Sequence, residues 1–181
     1  MHGSLRGARV GIVNRRRLIV MRHAKAEPFA ATDHQRVLTE RGQKAAKDAG
    51  RHLAATGAVP DHAVVSSAVR AVATWEGVAE GSGSEAEARF DGSVYTGSPD
   101  VVLEALRTVP HEAEVVIFVG HNPTASYLAH LLDDGNGEPA AVREMLQGYP
   151  ASALAVLEVE VAWRELGPET GHLVDFYVGH G

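Results

Sequence analysis

Leu18-Ile19-Val20-Met21 is a short unbroken apolar run that ends abruptly at Arg22-His23. Its length suits a strand buried on both faces, the habit of parallel sheets. Val115-Val116-Ile117-Phe118-Val119 repeats the layout and runs through Gly120 into His121-Asn122-Pro123-Thr124. The pattern predicts strands over 17–22, 62–66 (His62 to Ser66), 114–119, 153–161 and 172–178. Between them apolar positions recur at helical spacing. Thr39 caps a helix to about Ala55, with Ala45, Ala46, Ala49 and Leu53 on one face. Ser67 is placed to cap a helix that carries Val69, Val72, Ala73 and Glu76. Ser98-Pro99-Asp100 opens a helix to about Arg107, which Pro110 closes, and Asn122-Pro123 opens another to about Leu132. Residues 27–38, Gly81 to Ser84 and Asp134 to Gly137 read as loops, and Gly167-Pro168 as a turn. Strands alternating with helices imply a three-layer α/β/α sandwich on a mostly parallel sheet. The last two strands have no helix between them, so an antiparallel strand is expected near the C-terminus.

Four cationic or ionisable side chains share one placement in this scheme. Arg22 and His23 follow the first strand, Arg70 opens the helix after the second, and His121 follows the strand at 114–119. Open α/β sheets bind ligands outside the carboxyl ends of their strands. Two arginines and two histidines converging there make a compact anion pocket, since guanidinium forks match phosphate oxygens two at a time. A neutral imidazole in such a pocket can also attack phosphorus and carry the group covalently. The arginines and the second histidine then stabilise charge on the equatorial oxygens.

Composition narrows the chemistry. The 181 residues include no cysteine, which removes thiolate metal sites, disulfides and cysteine-nucleophile phosphatase chemistry, and suits the cytoplasm. A formal net charge of −6 argues against a general nucleic-acid binder, so anion binding must be local. Arg15, Arg16 and Arg17 form the dense basic cluster and read as a solvated lead-in to the first strand. No apolar run reaches the length of a membrane span or a secretion signal, so no membrane partner is expected. Residues 1–15 read as a flexible N-terminal extension, and 16–181 as a single domain. His121 and His130 are too far apart for one helical turn and no His-Glu-x-x-His pattern occurs, so neither a metal nor another cofactor is expected.

Taken together, four segments resemble the histidine phosphatase superfamily, with its phosphoglycerate-mutase-like fold. They are Val20 to Glu27, Leu38 to Gly42, Ser66 to Thr74 and Val119 to Thr124. The likeness spans about 16–178 and is greatest to the small bacterial SixA-type branch of phosphohistidine phosphatases. It implies that His23 is the phospho-accepting nucleophile and that Arg22, Arg70 and His121 complete the phosphate pocket. It gives Thr39 to Gly42 a structural role, opening the helix that buttresses the first motif. The chain carries Ala24 where glycine is common, Ser67 where proline is common and Ala73 where glutamate is common.

Many relatives place a carboxylate after the second motif to protonate an alcohol leaving group. Here Asp91 and Glu27 are candidates, with Asp33, Glu85 and Glu87 also in range, and none stands out. A missing acid suits a phosphoramidate, whose leaving nitrogen needs less help than an alkoxide. The short loops at 24–38 and 81–98 suit a shallow pocket open to a phosphorylated side chain. The expected partner is therefore a protein bearing phosphohistidine, with inorganic phosphate as product. Two alternatives remain: a small-molecule phosphomonoesterase or mutase on the same fold, and a phospholigand-binding protein without turnover.

Overall fold

A computed structural model describes residues 15–181. Apart from Arg15, the expected extension over 1–15 lies outside the described residues. The elements run β1 (Arg16–Arg22), α1 (Glu40–Ala55), β2 (His62–Ser66), α2 (Val69–Ser82), β3 (Glu87–Asp91), α3 (Pro99–Arg107), β4 (Val115–Gly120), α4 (Thr124–Leu132), α5 (Pro139–Leu146), β5 (Ala153–Val159) and β6 (Gly171–Val178). Short 3-10 turns occur at Asp33–Gln35 and Trp163–Glu165. The six strands form one sheet in the order β3-β2-β4-β1-β5-β6. The first four are mutually parallel, and β5 pairs antiparallel with both β1 and β6. β5 therefore runs against the other five, so the expected antiparallel strand near the C-terminus is present.

Alternation along β1 explains its continuous apolar sequence. Leu18 and Val20 enter a core with Val102, Leu106, Phe118, Leu128 and Met145, under α3, α4 and α5. Ile19 and Met21 enter the opposite core with Ala49, Leu53, Trp75, Val78 and Ile117, under α1 and α2. Both faces of the strand are covered, so every residue from Leu18 to Met21 is fully buried.

The helix starts are partly as the sequence suggests. Thr39 Oγ1 accepts the Gly42 N–H at 2.9 Å, a side-chain N-cap. Ser67 is not a cap: Ala68 occupies that position, and the Ser67 hydroxyl instead meets His34. Asn122-Pro123 does not begin α4 as cap and first residue, because Pro123 is itself the N-cap and the helix starts at Thr124. Asn122 still contributes, its Oδ1 accepting the Ser126 N–H at 3.3 Å. Gly81 and Ser82 belong to α2 rather than to a loop. A Cβ on Gly81 would overlap the Lys47 carbonyl, and one on Gly50 the Val78 carbonyl, so glycine lets α1 and α2 approach closely. Strand β3 and helix α5 are additions to the sequence reading. The first is an edge strand with no buried residue, and the second buries only Ala141 and Met145. Among the described residues no helix is long and apolar enough to cross a membrane.

Candidate active site

Sheet register brings the two histidines together. The β1–β4 pairing aligns Arg22 with Gly120, and the His23 N–H donates to the Gly120 carbonyl at 2.9 Å. The next residues on each strand are therefore His23 and His121, with ring centroids 5.1 Å apart. Arg70, in the first turn of α2, reaches between them. His23, Arg70 and His121 are thus in mutual contact, and Arg22 lies close enough for its charge to act on both rings.

Hydrogen-bond partners dictate the tautomers. His23 Nδ1 lies 2.7 Å from the Ala24 carbonyl, which can only accept, so Nδ1 carries the proton. His23 Nε2 keeps its lone pair and receives Arg70 Nε–H at 3.2 Å. His121 is the reverse: its Nδ1 receives Arg70 Nη2–H at 3.3 Å, and its Nε2–H donates to Ser66 Oγ at 2.7 Å. Burial pushes the His23 pKa down to about 4, with the Arg70, Arg22 and Arg36 charges adding to the effect. His121 falls to about 3, chiefly through burial, then through the neighbouring His23 and Arg70. Both rings are neutral at pH 7.

Arg22 is held differently. Its Nη1–H donates to the Tyr149 carbonyl at 3.0 Å, an acceptor it shares with Asn122 Nδ2 at 2.8 Å. Its Nε is buried and has no hydrogen-bond partner among the described residues. A buried donor left unpaired costs free energy that an anion oxygen would recover. Thr74 ties the inner elements together: Oγ1 accepts the Ala24 N–H at 2.9 Å and donates to the Arg70 carbonyl at 2.6 Å. The α1 start supports the same segment, with Thr39 N–H on the Lys25 carbonyl at 2.9 Å. A Cβ on Gly42 would overlap that carbonyl oxygen. The structural role assigned to Thr39 to Gly42 thus has a geometric basis.

The loops do not leave the pocket bare. The 3-10 turn at Asp33–Gln35 carries Asp33 onto Arg70, whose Nη2–H donates to Oδ2 at 2.9 Å and Nη1–H to the Asp33 carbonyl at 2.7 Å. Tyr95, from the segment after β3, donates its hydroxyl to Asp33 Oδ2 at 2.6 Å. The Tyr95 ring stands edge-on to His121 and to His34, with centroids 5.4 and 5.0 Å away. Hydrogen bonds from Tyr95, Arg36 and Arg70 hold the Asp33 carboxyl well below the usual range, and the same contact raises the Tyr95 phenol.

The other carboxylates stand apart from this cluster. Asp91 Oδ1 accepts the Ser93 N–H at 2.8 Å and its hydroxyl at 2.6 Å, a turn contact, while Oδ2 lies 3.8 Å from Arg89. Glu27 contributes backbone contacts, to Val37 and to Arg36 Nε. Ser66 enters the sequence reading as a strand end and motif residue but not as a site residue, and Tyr95 and Tyr149 escape it. Ser66 ends β2 as Arg22 ends β1, so the strand-end rule would have found it. Tyr95 and Tyr149 lie in irregular segments with no comparable signal. Among the described residues no three histidine, aspartate or glutamate side chains converge as ligands for a metal ion.

Residues 18–91 match the histidine phosphatase superfamily (branch 1). An uncharacterized protein of Mycobacterium tuberculosis is 37% identical over 160 residues, covering 87% of this chain and 99% of its own. A Mycobacterium leprae counterpart is 32% identical over 163 residues, with the same coverage. The SixA structure from Nakamurella multipartitia superposes with a TM-score of 0.80 at 31% identity, over 91% of this chain and 96% of that one. The SixA structure from Agrobacterium tumefaciens gives 0.73 at 26% identity, over 90% and 97%. The protein histidine phosphatase SixA complexed with tungstate shares the fold at a TM-score of 0.72 and 22% identity, over 90% and 96%.

Proposed function

The chain belongs to the histidine phosphatase superfamily and is a hydrolase of the histidine-nucleophile type; on that premise we propose that His23 is its nucleophile and phosphohistidine on a protein its substrate. The observation that carries the reading is the state of His23. Its proton is fixed on Nδ1 by Ala24, and its Nε2 lone pair faces the guanidinium that would hold the phosphoryl group. An imidazole whose pKa is pushed to about 4 is fully available as a nucleophile at neutral pH.

In the first step the Nε2 lone pair forms a bond to phosphorus. The bond from phosphorus to the leaving atom breaks, and its electrons stay with the leaving group. In the second step water attacks phosphorus, the bond to Nε2 breaks, and its electrons return to that nitrogen. Both water protons leave with dihydrogen phosphate, so His23 regains its starting tautomer. Arg22, through its unpaired Nε–H, and Arg70 clamp the equatorial oxygens in both steps. His121 completes that wall. Its Nδ1 meets the same Arg70 guanidinium, and its Nε2–H stays on Ser66.

Phosphohistidine is supported by the acids. The carboxylate that touches the pocket, Asp33, is ionised, and neither Asp91 nor Glu27 reaches His23 or Arg70 with its carboxylate. A leaving imidazole does without the protonation an alkoxide requires. The test is turnover of a phosphohistidine-bearing protein and of a small phosphomonoester by the wild type and by His23→Ala. The wild type prefers the first, and the variant loses at least about 10⁴-fold on both. A preference for the phosphomonoester contradicts the substrate, and surviving turnover in the variant contradicts the nucleophile.

A further inference from the structure

The guanidinium of Arg70 joins the nucleophilic nitrogen to a carboxylate. Its Nε–H faces His23 Nε2 at 3.2 Å, and its Nη2–H faces Asp33 Oδ2 at 2.9 Å. Arg70 is nearly buried, with 6% of its side chain exposed, whereas Asp33 is 55% exposed and lies toward solvent. A carboxylate offers about four acceptor positions. Arg70 and Tyr95 use those of Oδ2, and Arg36 Nη1–H uses one on Oδ1 at 3.0 Å. One acceptor position on Oδ1 is left for a donor arriving from outside.

This is an unfavourable neighbour for a phosphomonoester. A dianion clamped by Arg70 lies beside a like charge, and an ionised carboxylate has no proton to give an alkoxide. It is a favourable neighbour for a leaving group that carries its own positive charge. We propose that Asp33 is a specificity-determining residue that accepts a ring N–H from the protonated imidazole of a phosphoimidazole substrate. The inference rests on the phosphohistidine reading above and names the residue behind it.

The step then has a symmetry that the enzyme's own ring already displays. His23 holds its Nδ1 proton on the Ala24 carbonyl while Nε2 works on phosphorus. The substrate ring holds the proton of its far nitrogen on Asp33 while its near nitrogen leaves. The His23 Nε2 lone pair forms the new bond, and the old phosphorus–nitrogen pair returns to the substrate ring. Because that ring keeps its far proton, it departs as neutral imidazole, and no proton moves in the transfer itself. Tyr95 fixes Asp33 through its hydroxyl and so acts as a positioning residue.

The experiment measures kcat/KM for phosphoimidazole and for p-nitrophenyl phosphate in the wild type, Asp33→Asn, Asp33→Glu and Tyr95→Phe. Asp33→Asn lowers the phosphoimidazole-to-ester ratio by about tenfold or more, because an amide relieves the repulsion and binds the cation poorly. Asp33→Glu recovers most of the ratio, and Tyr95→Phe lowers it by a smaller factor. If both substrates fall equally in Asp33→Asn, or the ratio stays put, Asp33 is structural and the inference is wrong while the phosphohistidine reading stands. A wild type active on the ester but inert toward phosphoimidazole overturns both.

Discussion

The inner and outer halves of the pocket are built by different means. Arg22, His23 and His121 sit at or just beyond the ends of buried parallel strands, and Arg70 sits on the first turn of the helix that follows β2. Asp33, His34 and Tyr95 come from irregular segments that meet only because each touches Arg70, Ser67 or another rim residue. The inner half is held by sheet register, which sets the backbones of His23 and His121 side by side. The outer half is held by hydrogen bonds among its own partly exposed side chains and to the buried Arg70, and segments joined by so few contacts open at lower free energy than core strands. Chemistry that needs fixed geometry lies on the first. Contact with a substrate that must enter and leave lies on the second.

Experiments can break this division or sharpen it. The largest effect after loss of the nucleophile is expected at Arg70, where the halves join. Arg70→Lys keeps the charge but cannot span His23, His121 and Asp33 together, and kcat/KM falls about 10²-fold. A change of only a few-fold would mean that point charge, not the fork, is what matters.

The acid limb of the pH–rate profile tests the burial of the inner half. Because the His23 pKa is lowered to about 4, neutral imidazole persists down to that pH and is protonated below it. kcat/KM, corrected for substrate ionisation, holds steady from neutral pH and then falls about tenfold per pH unit below roughly 4. A bend near the ordinary histidine value of about 6.5 would show the ring to be solvated. Stability has the matching sign. Both histidine values are depressed in the folded state, so the unfolded chain binds more protons and the fold loses stability as pH drops from about 6.5 toward 4.

Smaller effects are expected in the buttress. Gly42→Ala drives a methyl into the Lys25 carbonyl and costs about 1–3 kcal/mol in thermal or denaturant unfolding. Thr39→Ala removes one cap and costs about 1 kcal/mol. Both variants retain turnover where folded. Equal losses of activity and stability would show that the first motif depends on its support more closely than this division allows.

The same division explains what was legible in the sequence. The inner half could be read because a buried parallel strand writes an apolar run, and the residue after that run is at the mouth. Strand β3 writes no such run. Glu87 to Asp91 lies at the sheet edge and alternates charge with small or exposed residues. Helix α5 is short, with two buried residues that set no period. Asp33 was visible only as one of several loop acids, since its meaning comes from an arginine 37 residues away. Asp91 is an equal candidate in sequence, and a neighbouring serine supplies its partner. Local pattern locates what secondary structure positions; contacts between loops of distant sequence leave no pattern to read.

The most direct test of the central claim is a phosphoenzyme trap. The wild type is mixed with a phosphohistidine-bearing protein, quenched without acid within the first turnovers, and digested for mass spectrometry under neutral conditions. The account predicts a single added phosphoryl group on the peptide containing Met21-Arg22-His23-Ala24, located on His23 and absent from His23→Ala. Phosphate on His121 instead, or turnover of that substrate at full rate with no phosphorylated peptide at any time point, would contradict it.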